Sequence, residues 1–117
     1  YKILCLDNDE TILEGMSNLL TKWGYQVFKA TEPEHALALI EQENIQVWLV
    51  DQHLNNEKIG LDFITEHRQD NVPVALITAD SDPDLPQRLK DLNIVMLRKP
   101  LKPASLRSWL SGLKISK

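Results

Sequence analysis

The sequence predicts a doubly wound α/β domain, a five-stranded parallel sheet with helices on both faces. Short apolar runs alternate with segments of helical period from one end of the chain to the other. The runs at residues 3–6, 47–50, 74–77 and 94–97 are continuously apolar, as strands buried on both faces are. Asp7, Asp51 and Thr78 directly follow the first three of these runs, and Lys99-Pro100 follows the fourth after Arg98.

Each element follows in order. Residues 2–7 form a strand pattern closed by Asp7. Ile12, Leu13, Met16, Leu19, Leu20 and Trp23 then recur at helical spacing, with Gly24 as the stop. Residues 25–30 read as a less apolar strand, placed toward a sheet edge. Thr31-Glu32-Pro33-Glu34 has the pattern of a capping box with proline in the first turn, opening a helix to about Gln42. Residues 47–50 are the most hydrophobic strand and so the central one.

Residues 51–59 are polar and loop-like, and Gly60 leads into a helix carrying Leu61, Ile64 and His67. Asn71-Val72-Pro73 breaks that helix before the strand at 74–77. Asp82-Pro83 is expected to cap a helix bearing Leu85, Leu89 and Leu92. The fifth strand is residues 94–97. Pro103 starts a last helix with Leu106, Trp109, Leu110 and Leu113, which leaves a short tail to Lys117.

Right-handed crossovers make the doubly wound sheet the economical topology for five βα units. Such sheets bind ligands beyond the carboxyl ends of their strands, where the chemical residues of this chain fall. The 117 residues form one domain, 1–117, with 43% hydrophobic and 26% charged residues. No apolar stretch approaches the roughly 20 residues of a membrane helix. A net charge of −4 without a basic run argues against nucleic acid as a partner. Cys5, the only cysteine, excludes a disulfide framework and reads as a buried inert thiol, in keeping with a reducing cytoplasmic location. The opening at Tyr1 suggests a piece of a longer polypeptide.

Asp7, Asn8, Asp9 and Asp51 concentrate oxygen ligands where two strands end. Grouped carboxylates repel unless a cation or proton neutralises them, and Mg²⁺ suits such hard donors. Asp51, after the central strand, is best placed as a nucleophile toward a phosphoryl group. Lys99 offers a compact cation and Thr78 a hydroxyl for the phosphoryl oxygens. Taken singly, an Asp or Thr after a strand is usually a turn or helix cap, and Lys-Pro means little. Their joint occurrence, each in its own unit, carries the weight. The isomer of the Lys99-Pro100 peptide is open at this level.

With these residues in place, the chain resembles the receiver domain of two-component response regulators over essentially its whole length. The likeness rests on Asp7-Asn8-Asp9, Asp51, Thr78 with Ala79, and Lys99-Pro100. Asp51-Gln52-His53-Leu54 with Gly60, and the ending from Leu97 to Arg107, resemble receivers fused to hybrid sensor histidine kinases. The resemblance implies a flavodoxin-like sheet of order 2-1-3-4-5 and a phosphoacceptor Asp51 in a His–Asp phosphorelay. It also implies Mg²⁺ (or Mn²⁺) held by Asp7, the Asn8 position, Asp51, the His53 backbone carbonyl and Asp9. Such a domain catalyses its own phosphotransfer and dephosphorylation, with His53 and Asp80 at positions that tune the latter. Partners would be a histidine kinase or histidine phosphotransfer domain, with a possible homodimer through the fourth-helix and fifth-strand face. No nucleic acid or membrane contact is expected of the domain itself, although the parent chain could be membrane-anchored.

Three positions depart from the family pattern. Asn8 stands where a second acid is usual, which weakens the metal side by one charge. Met96 replaces the common aromatic switch residue. Leu54-Asn55 replaces the common Met-Pro in a slightly longer loop. Two rival readings follow. One is a pseudo-receiver that binds partners without phosphorylation. The other is a haloacid-dehalogenase-like phosphatase, because Asp7-Asn8-Asp9-Glu10-Thr11 fits that family's opening, with Asp7 as nucleophile and Asp9 as acid/base.

Overall fold

In a computed structural model, which describes residues 1–54, 58–69 and 71–113, strands and helices alternate without exception. They are β1 (Lys2–Leu6), α1 (Glu10–Lys22), β2 (Gln26–Ala30), α2 (Pro33–Gln42), β3 (Val47–Asp51), α3 (Gly60–His67), β4 (Val74–Thr78), α4 (Leu85–Asp91), β5 (Val95–Arg98) and α5 (Pro103–Ser111). All pairings are parallel, in the order β2-β1-β3-β4-β5. The expected topology and the edge position of β2 are both found.

Alternate residues of the strands feed two cores, as the period of two requires. Leu4, Leu6, Trp48, Val50 and Leu76 face Ala36, Leu61, Ile64 and Leu89 of α2, α3 and α4. Ile3, Cys5, Val47, Leu49, Ala75 and Ile77 face Leu13, Leu20, Leu106 and Leu110 of α1 and α5. The sheet is therefore held on both sides, and its carboxyl edge is a fixed platform.

Two helices end in the same way. After α1, Gly24 takes φ +97° while the Tyr25 N–H donates to the Leu20 carbonyl at 3.1 Å and the Gly24 N–H to that of Thr21 at 3.0 Å. After α4, Asn93 takes φ 57°, the Ile94 N–H donates to the Leu89 carbonyl at 2.8 Å and the Asn93 N–H to that of Lys90 at 3.0 Å. This crossed pair of bonds closes a helix around one left-handed residue, glycine in the first case and asparagine in the second. It also explains why β5 starts at Val95 and not at 94: the Ile94 N–H is spent on the cap.

Helices α3 and α5 start at Gly60 and Pro103 as expected, and two expected helix caps are corrected. The residue capping α2 is Glu32, without a side-chain bond, so the Thr31 capping box does not form; Pro33 takes the first helical position with its φ already suited to it. Nor does Asp82-Pro83 open α4. Asp80 Oδ1 accepts from the Asp82 N–H and Asp82 Oδ1 from the Asp84 N–H, each at 2.9 Å. These local bonds compete with helix formation, and α4 begins only at Leu85. The last helix ends at Ser111, and the tail after Leu113 lies outside the described residues.

Candidate functional site

Each expected site residue falls at the carboxyl edge of the sheet. Asp7 follows β1, Asp51 ends β3 and Thr78 ends β4; all three are buried, at 1%, 2% and 0% exposure. Leu6 pairs with Val50, so the two carboxylates leave neighbouring strands at the same level. Lys99 follows β5 and reaches past β4 to place Nζ 2.6 Å from Asp51 Oδ1. The angles of that contact lie outside hydrogen-bond geometry, so it is a close ion pair and not an aligned bond. The Lys99-Pro100 peptide is cis.

The Thr78 hydroxyl accepts from the Asp80 N–H at 2.9 Å, and its carbonyl accepts from the Lys99 N–H at 3.0 Å. A hydroxyl that accepts one bond keeps its own proton to donate. On the other flank, Asp7 Oδ1 accepts from the Asp9 N–H at 2.9 Å, while Oδ2 is buried without a hydrogen-bond partner. Burial holds the Asp7 carboxyl above the usual carboxylate range, and the nearby Asp51 charge adds to the rise.

Asp9 takes the bland role that a lone acid after a strand suggests. Its Oδ1 caps α1, accepting from the Thr11 N–H at 2.9 Å and the Ile12 N–H at 3.4 Å. Asn8 is exposed beside it. His53 is also exposed and forms an isolated antiparallel bridge with Ile59. Leu54 is buried, and Asn55 lies outside the described residues. Met96 is half-buried against the α2–α4 core.

Two residues beyond the expected set build the site. A Cβ on Gly60 would lie 2.0 Å from the Asp51 carbonyl oxygen, so only glycine lets α3 start against the end of β3. Gln52 is buried and secures the same corner. Its carbonyl accepts from the Gly60 N–H at 2.8 Å, and its Oε1 from the Leu61 N–H at 3.3 Å. The only trace in the sequence is a glycine between a polar loop and an apolar helix, which carries no distance information.

The donor set also bears on a metal. Among the described residues no three His, Cys, Asp or Glu side chains gather in one group. The facing carboxylates are Asp7 and Asp51, each with one buried oxygen that has no hydrogen-bond partner, that of Asp51 being ion-paired with Lys99. Mg²⁺ fits that set, because it takes one or two carboxylates and keeps its remaining ligands as waters and phosphoryl oxygens.

The family model of the response regulator receiver domain matches residues 3–111. The chain belongs to the receiver family. This receiver is 30% identical over 86 residues to the CAI-1 autoinducer sensor kinase/phosphatase CqsS of Vibrio cholerae, a match that covers 70% of the receiver and 12% of that much longer protein. Among solved structures it superposes on the chemotaxis response regulator CheY4 of Vibrio cholerae with a TM-score of 0.81 at 25% identity, covering 94% and 95% of the two chains. A receiver domain protein from Clostridium thermocellum gives 0.83 at 25% identity, over 94% and 90%. The receiver domain of Francisella response regulator 1452 gives 0.83 at 21%, over 94% and 93%, which speaks to the fold alone. Family membership spans every element, whereas the phosphatase-like opening at Asp7–Thr11 is a local likeness. Among the described residues no helix is long and apolar enough to cross a membrane.

Proposed function

We propose that this receiver accepts a phosphoryl group on Asp51 in a His–Asp phosphorelay and passes on a change of shape. The observation that carries the reading is the Lys99–Asp51 ion pair at 2.6 Å, with the Thr78 hydroxyl at the end of the strand between them. An Asp51 oxygen attacks phosphorus, the new O–P bond forms as the donor's P–N bond breaks, and the electron pair leaves with the donor imidazole. Lys99 Nζ offsets the charge of the phosphoryl oxygens, and the Thr78 hydroxyl donates to one of them. Asp7, Asp51, the Asn8 position and the His53 carbonyl would hold Mg²⁺ (or Mn²⁺), which supplies further charge neutralisation during transfer. Asp9 is left with only one oxygen uncommitted to the helix cap.

The partner in this reading is a histidine kinase or phosphotransfer histidine domain in the cytoplasm, and the likeness to a sensor kinase/phosphatase supports an origin in a hybrid kinase. Leu92, just after α4, and Val95, the first residue of β5, are 40% and 37% exposed, which supports that region as part of the partner or dimer surface. Incubation with Mg²⁺ and a small-molecule phosphodonor, followed by intact mass measurement, tests the central step. One added phosphoryl group is expected on the wild type and none on Asp51→Asn. An unlabelled wild type would leave the non-phosphorylated interaction module, the reading that Asn8 and Met96 favour.

A further inference from the structure

We propose that Arg98 is a positioning residue for phosphoryl acceptance, holding the β4–α4 loop in the arrangement of the unphosphorylated receiver. The inference rests on Asp51 being the phosphoacceptor. Arg98 pairs with Thr78 in the sheet, and its guanidinium Nη1 donates to the Asp80 carbonyl at 2.6 Å. The Asp80 N–H in turn donates to the Thr78 hydroxyl, and Asp80 Oδ1 accepts from the Asp82 N–H. Asp80 is thus tied at its amide, its carbonyl and its side chain, and only the tie from Arg98 comes from another strand.

A phosphoryl group on Asp51 draws the Thr78 hydroxyl and the Lys99 ammonium to its oxygens. Thr78 carries the loop with it through the Asp80 N–H. Lys99 is the next residue after Arg98, so one strand end holds both the phosphoacceptor and the loop. Any shift of the loop must break or stretch the Arg98–Asp80 bond, a charge-assisted one. Met96, an unbranched thioether, offers no rigid ring as an alternative stop. The energy of the Arg98 bond therefore enters the balance between resting and switched arrangements.

The test compares wild type, Arg98→Ala and Arg98→Lys. Removing the tie raises the population competent to accept phosphate, so Arg98→Ala is labelled by a small phosphodonor about two- to fivefold faster, given the modest worth of an exposed hydrogen bond. Arg98→Lys, which keeps the charge and a shorter donor, falls between. The ratio persists at high ionic strength, which separates it from simple attraction of an anionic donor. In the unphosphorylated protein, hydrogen exchange of the Asp80 amide rises by a similar factor in Arg98→Ala, while Tm stays near that of wild type. Unchanged Asp80 exchange overturns the proposal, as does faster exchange with an unchanged or slower labelling rate. If wild type accepts no phosphoryl group, the phosphoacceptor reading fails and with it the role in transfer; Asp80 exchange still decides whether Arg98 holds the loop.

Discussion

Asp7 and Asn8 set the electrostatic tone of the site. Asp7 is buried with one orphaned oxygen and a raised carboxyl pKa, so its charge opposes folding when no cation is present. Asp7→Asn should stabilise the metal-free receiver by about 1 kcal/mol, a rise in Tm of roughly 4 °C in thermal unfolding with a chelator; an unchanged or lower Tm would contradict the account. Asn8 works in the other direction, since it supplies an amide where a second charge would help a cation. Asn8→Asp should tighten Mg²⁺ binding by roughly tenfold, on the order of 1.4 kcal/mol for one added carboxylate contact, measured by metal titration. Weaker or unchanged binding would place that side chain outside the metal shell. Asp51, Thr78 and Lys99 were legible in the sequence because a position at the end of a parallel strand is enough to locate a side chain. Asp9 was only half legible, as one acid can cap a helix or ligate a metal, and here the cap has taken one of its oxygens. Gly60 and Arg98 were opaque for a different reason: their roles are a close approach and a cross-strand bond, and neither leaves a pattern along the chain.

At the scale of elements, the strands and the starts of α2, α3 and α5 at Pro33, Gly60 and Pro103 were readable, whereas the cap of α2 and the opening of α4 were not. Continuous apolar runs mark buried strands whatever surrounds them, and their bounds shifted by a residue at most, as at β5. Helix starts depend on which side-chain oxygen wins a given N–H. The chain of acids from Asp80 to Asp84 resolved that contest in favour of turns. The α3 start makes the sharpest prediction. Gly60→Ala brings a methyl group against the Asp51 carbonyl, which should cost about 1–3 kcal/mol of stability in denaturant unfolding. The same change shifts the end of β3 and should slow labelling of Asp51; full stability and a normal rate would show that the helix slides away freely. The α4 end offers a second. Asn93 holds a left-handed conformation with φ 57°, so Asn93→Ala should lose about 1 kcal/mol.

Across the whole molecule, two apolar layers bury both faces of the sheet. Cys5 reports on that burial. Its thiol is pushed up to about 12, chiefly by desolvation and then by the Asp7 charge. The unfolded chain loses this proton near pH 9 while the folded receiver keeps it, so the thiol's stabilising contribution is intact below that pH and declines toward 12. Subtracting the profile of Cys5→Ala should isolate this decline, and parallel profiles would mean that the thiol is not shielded. The loop after Thr78 is tied to β4 through the Thr78 hydroxyl and to β5 through Arg98. The measurement that bears most directly on all of this is the intact mass after exposure to Mg²⁺ and a small phosphodonor. One added phosphoryl group is expected on wild type, absent from Asp51→Asn and sharply reduced in Lys99→Ala. No added mass on wild type, or a label that survives Asp51→Asn, would contradict it.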